Sequence, residues 1–130
     1  MTIDETTEKR STWETYASAW KVTDDEAKGK ALSASVSPAC VYRDPITELS
    51  GHPALVAHMH AFHAQSPGAY FRTKYFLAHH GRSIARWDMV IEDAATAEPK
   101  ILAEGISYGE YDAQGRLAAM TGFFEAAPST

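Results

Sequence analysis

Residues 70–79, 83–91, 101–111 and 117–125 form four runs of aromatic and β-branched residues, and turn signals separate them. Such runs read as strands. His80-Gly81 and Ala113-Gln114-Gly115 are tight connections and 92–99 a longer polar one, so the four strands form an antiparallel meander. The first half of the chain follows a different period. Trp13, Tyr16, Ala17 and Trp20 fall at i, i+3, i+4 and i+7, one face of an amphipathic helix over about 6–21. Thr23-Asp24-Asp25-Glu26 reads as a capping box that opens a second helix to about residue 35, which Pro38 stops. Pro53 opens a third helix to about residue 65, and Ser66-Pro67-Gly68 closes it. Helices first and a meander last predict an α+β domain with helices packed on one face of a bent sheet.

Between the second and third helices lies Val41-Tyr42-Arg43-Asp44-Pro45, a short strand that a proline ends, with a loop after it. Alternation puts Tyr42 and Asp44 on one face and Val41 and Arg43 on the other. Asp44 is therefore either a pocket acid or the cap of the turn that an Asp before Pro commonly starts.

Composition narrows the function. The chain has 130 residues, 45% of them hydrophobic, which suits a single domain over 1–130 with one core. A formal charge of −5 with no basic block argues against nucleic-acid or anionic-membrane partners. Cys40 is the only cysteine, so neither a disulfide nor a zinc–cysteine cluster can form within the chain. No apolar run follows a basic start and none reaches the length of a membrane span, so a cytoplasmic protein is expected. His58, His60 and His63 are not expected to make a metal site, because on a helix residues 58 and 60 point about 200° apart and His60 and His63, the pair with usable spacing, have no third ligand nearby. Leu55, Met59 and Phe62 define the apolar face of that helix. His58 and His63 flank it and His60 is turned away. Trp13, Trp20, Trp87, Tyr75, Tyr108 and Phe123 either line a ligand cavity or pack a core. There is no nucleophile elbow and no glycine-rich phosphate loop.

The element order, Tyr16 in Tyr-Ala-Ser-Ala-Trp, the Val41–Pro45 motif, Gly51 before the third helix and Tyr111-Asp112-Ala113-Gln114-Gly115-Arg116-Leu117 resemble the nuclear transport factor 2-like superfamily. The SnoaL-like and steroid delta-isomerase-like branches are the most similar. The resemblance implies a cone in which a curved antiparallel sheet wraps three helices around an apolar pocket, and a homodimer formed through the sheet. It implies that Asp44 is the carboxylate that moves a proton between carbons and Tyr16 the phenol that hydrogen-bonds the enolate oxygen, a pairing that is a standard case of pKa tuning. Ser107 stands where the isomerases carry a protonated Asp as second oxyanion donor. His58 matches a pocket-lining position. Tyr42, Met59, Phe62 and Trp87 complete the expected pocket lining.

Arg86-Trp87-Asp88 resembles the Arg-x-Asp segment of limonene epoxide hydrolases, whose water-activating Tyr and Asn would correspond to Tyr42 and Asp44. The second catalytic Asp of that family corresponds to Gly122. Strand parity places Arg86 and Asp88 opposite the larger apolar set, so they are expected as an ion pair on the outer sheet face. The expectation is thus an isomerase or cyclase-like enzyme without cofactor or metal, acting by enolisation on a small apolar carbonyl compound. A non-catalytic ligand-binding or dimerisation module is the first alternative. The second is epoxide ring opening, which needs Asp88 in the pocket.

Overall fold

The structure, a computed structural model, describes residues 5–125. Three helices, α1 (Glu5–Ala19), α2 (Asp25–Ser35) and α3 (His52–Gln65), pack on six strands. The strands are β1 (Val36–Asp44), β2 (Thr47–Ser50), β3 (Tyr70–His79), β4 (Arg82–Ile91), β5 (Lys100–Tyr111) and β6 (Leu117–Phe123). They form one curved, unclosed sheet in the order β2-β1-β6-β5-β4-β3. The meander β3 to β6 is antiparallel, as the sequence predicts. β1 joins it in parallel along β6, with Tyr42 opposite Met120, so the sheet is mixed.

Three local features differ from the sequence reading, each for a physical reason. The cap of α2 is Asp24, whose carboxylate accepts from Ala27 N at 2.8 Å; with extended backbone at Asp24, this side chain takes the role assigned to Thr23 one residue earlier. That helix ends at Ser35, before Pro38 is reached. Val36 is already extended, and Pro38 lies inside β1, where the register with β6 shifts and no β2 residue is yet paired. Lastly, the stretch expected as a loop after Pro45 holds β2, which pairs back on β1 through Asp44↔Thr47 and Arg43↔Glu48. Thr47-Glu48-Leu49-Ser50 has one large apolar residue, too few to mark a strand by pattern.

The core lies between the helices and the concave face. Trp13, Tyr16, Ala19 and Trp20 from the first helix and the turn after it meet Leu32, Leu55 and Met59 of α2 and α3, and Cys40, Tyr42, Phe76, Ala85, Leu117 and Met120 of the sheet. Lys28 is fully buried among them. Its ammonium donates to the carbonyls of Ala19, at 2.8 Å, and Val22, and to His63 Nε2 at 2.8 Å. It thereby satisfies carbonyls left open at the end of α1 and pins α2 and α3 to that point. Burial lowers the pKa of both Lys28 and His63, and the Lys28 charge lowers that of His63 further. One turn earlier, His60 Nε2 meets Asp25 Oδ1 at 2.6 Å.

The convex face has a different character. Ladder partners there are Leu77–Ile84–Tyr108 and Tyr75–Arg86–Ile106–Phe123. Tyr75, Leu77, Ile84, Ile106 and Phe123 are all exposed. Tyr75, Tyr108 and Phe123 therefore point away from the helix-covered face, because strand alternation turns them outward. No described helix is long and apolar enough to cross a membrane.

Candidate functional site

Aromatic side chains from four directions enclose a cavity of about 60 Å3. The first helix and the turn after it contribute Trp13, Tyr16, Ala17 and Trp20. Phe71 and Thr73 come from β3, Trp87 from β4 and Ser107 from β5. Tyr42, Met120, Gly122 and Phe124 close the far side. Strand parity explains the inward set, since Thr73, Trp87 and Gly105 are cross-strand neighbours, as are Ser107 and Gly122.

Next to this wall is a cluster of polar groups. Tyr42 and Asp44 share the inner face of β1, and the Tyr42 hydroxyl donates to Asp44 Oδ2 at 2.7 Å. His58 Nε2, on α3, approaches the same oxygen at 3.4 Å. Asp44 Oδ1 accepts from Ile46 N at 3.0 Å. The two sequence readings of Asp44 are thus both realised, one on each carboxylate oxygen: Oδ1 holds the Pro45 turn, and Oδ2 faces the phenol and the imidazole. The Asp44 side chain is only 4% exposed while that of His58 is 24% exposed, so of the two it is the histidine that reaches solvent. Arg43, on the other face, pairs with Glu48 at 2.5 Å.

Both cavity phenols are held in the protonated form. Burial pushes the Tyr42 pKa far up, and the neighbouring Tyr16 and the hydrogen bond to Asp44 add to it. Burial does the same for Tyr16, opposed by a hydrogen bond with Trp20 and reinforced by the charges of Cys40 and Asp44. Across the cavity, Trp87 Nε1 donates to Ser107 Oγ at 3.0 Å, which leaves the Ser107 hydroxyl proton to donate elsewhere.

The structure therefore brings Tyr16, Tyr42, Trp87 and Ser107 to one cavity. Asp44 lies one step back: it does not line the cavity and touches it through the Tyr42 hydroxyl. His58, Met59 and Phe62 are also set back. Met59 is fully buried in the core, and Trp20 packs edge-on against both His58 (5.7 Å) and Phe62 (5.4 Å), separating α3 from the cavity. Phe62 in turn stacks on Phe71 at 5.1 Å.

Asp88 and Arg86 require a correction. Asp88 is on the outer face but 1% exposed, and its partners are Arg72 at 3.4 Å and Lys74 at 3.6 Å, not Arg86. Arg72 is directly opposite Asp88 in the ladder, closer than a residue two positions along the same strand, and Arg86 faces Tyr75 and Ile106 instead. Neither residue lines the cavity, so the placement that ring opening would need is absent.

Phe71, Thr73, Met120 and Phe124 were not singled out by sequence, and Gly122 entered only as the position matching the second catalytic Asp of the epoxide hydrolases. Phe71 and Thr73 carry a signal that could have found them, since they alternate with the polar Arg72 in β3. Gly122 carries none: what it offers is space, with its missing Cβ position 3.7 Å from Ser107 Oγ and 3.8 Å from the Asp44 Cβ.

The model of the SnoaL-like domain family matches residues 13–120 of the chain. A proposed isomerase of the SnoaL-like family from Agrobacterium tumefaciens has a similar structure, with a TM-score of 0.81 and 21% identity over 92% of this chain and 99% of that one. A proposed polyketide cyclase from Xanthomonas campestris gives 0.67 and 10% identity, covering 94% and 93% of the two chains. An LEH-like epoxide hydrolase from M. tuberculosis gives 0.64 and 14% identity, covering 94% and 86%. At these identities the likeness is one of fold. No curated protein matches the chain.

Proposed function

We propose, since the chain belongs to the SnoaL-like domain family, that it is a cofactor-independent isomerase or cyclase-like enzyme working by enolisation of a compact, mostly apolar carbonyl compound. The observation that carries this reading is the 2.7 Å bond between Tyr42 and a buried Asp44 at the wall of an aromatic cavity. A proton leaving the carbon beside the carbonyl passes to the Tyr42 oxygen as the phenol's own proton moves to Asp44 Oδ2. The C–H electron pair becomes the carbon–carbon π bond of the enolate as the carbonyl π pair moves onto oxygen. Stepwise transfer through a tyrosinate is disfavoured by the raised Tyr42 pKa, so the two protons move together. Tyr16 and Ser107 supply hydrogen bonds to the developing oxyanion, where preorganised donors contribute most. Return of the proton at a different carbon completes an isomerisation, and attack of the enolate carbon on a second carbonyl closes a ring. His58 exchanges the Asp44 proton with solvent.

The test is deuterium exchange at the α-carbons of a panel of cyclic ketones. Tyr16→Phe is expected to slow exchange by about a hundredfold to a thousandfold, the cost of one oxyanion donor, while changing stability by only about 1 kcal/mol. Wild-type protein that binds a ketone tightly without exchanging its α-protons would favour a non-catalytic binding module.

We also infer that a second copy covers the convex face. Five exposed large apolar side chains in adjacent ladder rows make a patch that a two-fold axis can close on itself. Ile106→Glu is expected to convert a dimer to a monomer in light scattering. A wild-type monomer at high concentration would rule this out.

A further inference from the structure

We propose that the molecule this site accepts carries a carboxylate as well as the reacting carbonyl, with the carbonyl end in the aromatic cavity and the carboxylate in a basic groove that adjoins it. The proposal rests on the enolisation reading above and adds a substrate class to it.

The groove, about 320 Å3, lies between α1 and β3. Ala17, Phe71 and Thr73 belong both to its wall and to that of the cavity, so the two spaces meet at these residues. The cavity, at about 60 Å3, is far below the roughly 300–1,000 Å3 of pockets that enclose a whole small-molecule ligand. A ligand whose carbonyl reaches Tyr16 and Tyr42 therefore extends past Phe71 and Thr73 into the groove.

Charge says what the outer end should be. Arg10, Lys21 and Arg72 line the groove against one carboxylate, Glu14, in a chain whose overall charge is −5. The helical part of the wall is a single stripe, Arg10, Glu14, Ala17 and Ser18 at i, i+4, i+7 and i+8, with Lys21 in the turn after the helix. The three cations are not equally committed. Arg72 is tied to the buried Asp88 and also pairs with the exposed Glu98 at 4.0 Å, and Arg10 makes an exposed pair with Glu14 at 3.8 Å. Lys21 makes no ion pair among the described residues; its ammonium rests 4.4 Å over the Tyr70 ring, which holds it at the groove without neutralising it. A carboxylate entering beside Lys21 and Arg10 meets two exposed cations in a concave groove, whose shape focuses their attraction more than a flat surface would.

The experiment compares 4-oxo-4-phenylbutanoate with its methyl ester, two aryl ketones that differ only in the anionic end. Calorimetry on wild-type protein is expected to give about tenfold tighter binding of the acid at about 20 mM salt, with the advantage shrinking at about 300 mM. The Arg10→Gln/Lys21→Gln double variant should bring the acid-to-ester ratio close to one. Equal affinity of the pair in the wild type, a ratio that the double variant leaves intact, or binding of neither compound overturns the proposal. Exchange of the α-protons of the bound acid reads the chemistry separately. A wild-type preference for the acid that the double variant abolishes, without exchange, removes the enolisation reading and keeps the anion groove, whereas exchange with equal affinity for acid and ester in the wild type does the reverse.

Discussion

Asp44→Asn is expected to cut α-proton exchange by roughly a hundredfold to ten-thousandfold, the range that general acid–base catalysis contributes, while the protein still folds and still binds a ketone. The structure explains why the fold should survive. The Asn oxygen can go on accepting from Ile46 N and so keep the Pro45 turn. The amide nitrogen then faces the Tyr42 hydroxyl and donates to it, which reverses the direction of that hydrogen bond and leaves the phenol with no acceptor for its proton. The paired proton transfer stops because its terminus is gone, although the cavity wall is unchanged. Loss of a charge-assisted bond and of the approach of His58 should cost about 1–3 kcal/mol, visible in a thermal melt. Rates and melts measured on the same preparations separate the two effects, and a variant that exchanges within a few-fold of wild type would remove Asp44 from the mechanism. His58→Gln should act differently, slowing deuterium uptake, which needs the abstracted proton to pass to solvent, more than isomerisation, in which that proton returns to the substrate.

The parts of this arrangement that sequence could reveal are those set by period. The spacing of Trp13, Tyr16, Ala17 and Trp20 fixed a helix face, and that face became a wall of the cavity. Alternation in Val41-Tyr42-Arg43-Asp44 put the phenol and the carboxylate on the same side, and they are hydrogen-bonded there. Across strands, period alone was not enough. Parity put Asp88 on the outer face, but its partner is decided by register, and register depends on the bulge between Thr73 and Tyr75 that no local pattern announces. The depth of Asp44 behind Tyr42 was hidden for a similar reason. A residue's face can be read from its strand, whereas which side chain stands in front of it depends on reach, packing and the neighbouring strand. The parallel joining of β1 to β6 was hidden too, because it pairs segments far apart in sequence.

Gly105→Ala should be among the most damaging single methyl groups that could be added to this protein. Gly105 sits directly across the ladder from Trp87, in ordinary extended backbone where alanine meets no conformational penalty. The indole occupies the space where a side chain would be: an added Cβ would stand 2.5 Å from Trp87 Cη2 and closer still to Cζ2. A ring cannot yield as the end of a flexible chain does, so the whole indole has to tilt away from β5. Two attachments oppose that tilt, the hydrogen bond from Nε1 to Ser107 at 3.0 Å and the edge-on contact with Phe71 at 5.0 Å. Overpacking of this kind costs about 1–3 kcal/mol and sometimes more, and the strained hydrogen bond adds to it, so a fall in melting temperature of about 10 °C is expected. The cavity should suffer as well. Tilting Trp87 pushes it against the neighbouring aromatic rings and turns Ser107 away from its present bond, so ketone affinity and exchange rate should fall together. A second substitution tests the cause. If the clash is with the indole, Trp87→Phe placed in the Gly105→Ala background should recover part of the lost stability, since the smaller ring frees the space beside the new methyl group. The Trp87→Phe change alone should be mildly destabilising through the lost hydrogen bond to Ser107. Additive losses in the double variant, with no recovery, would show that the two residues do not share that space.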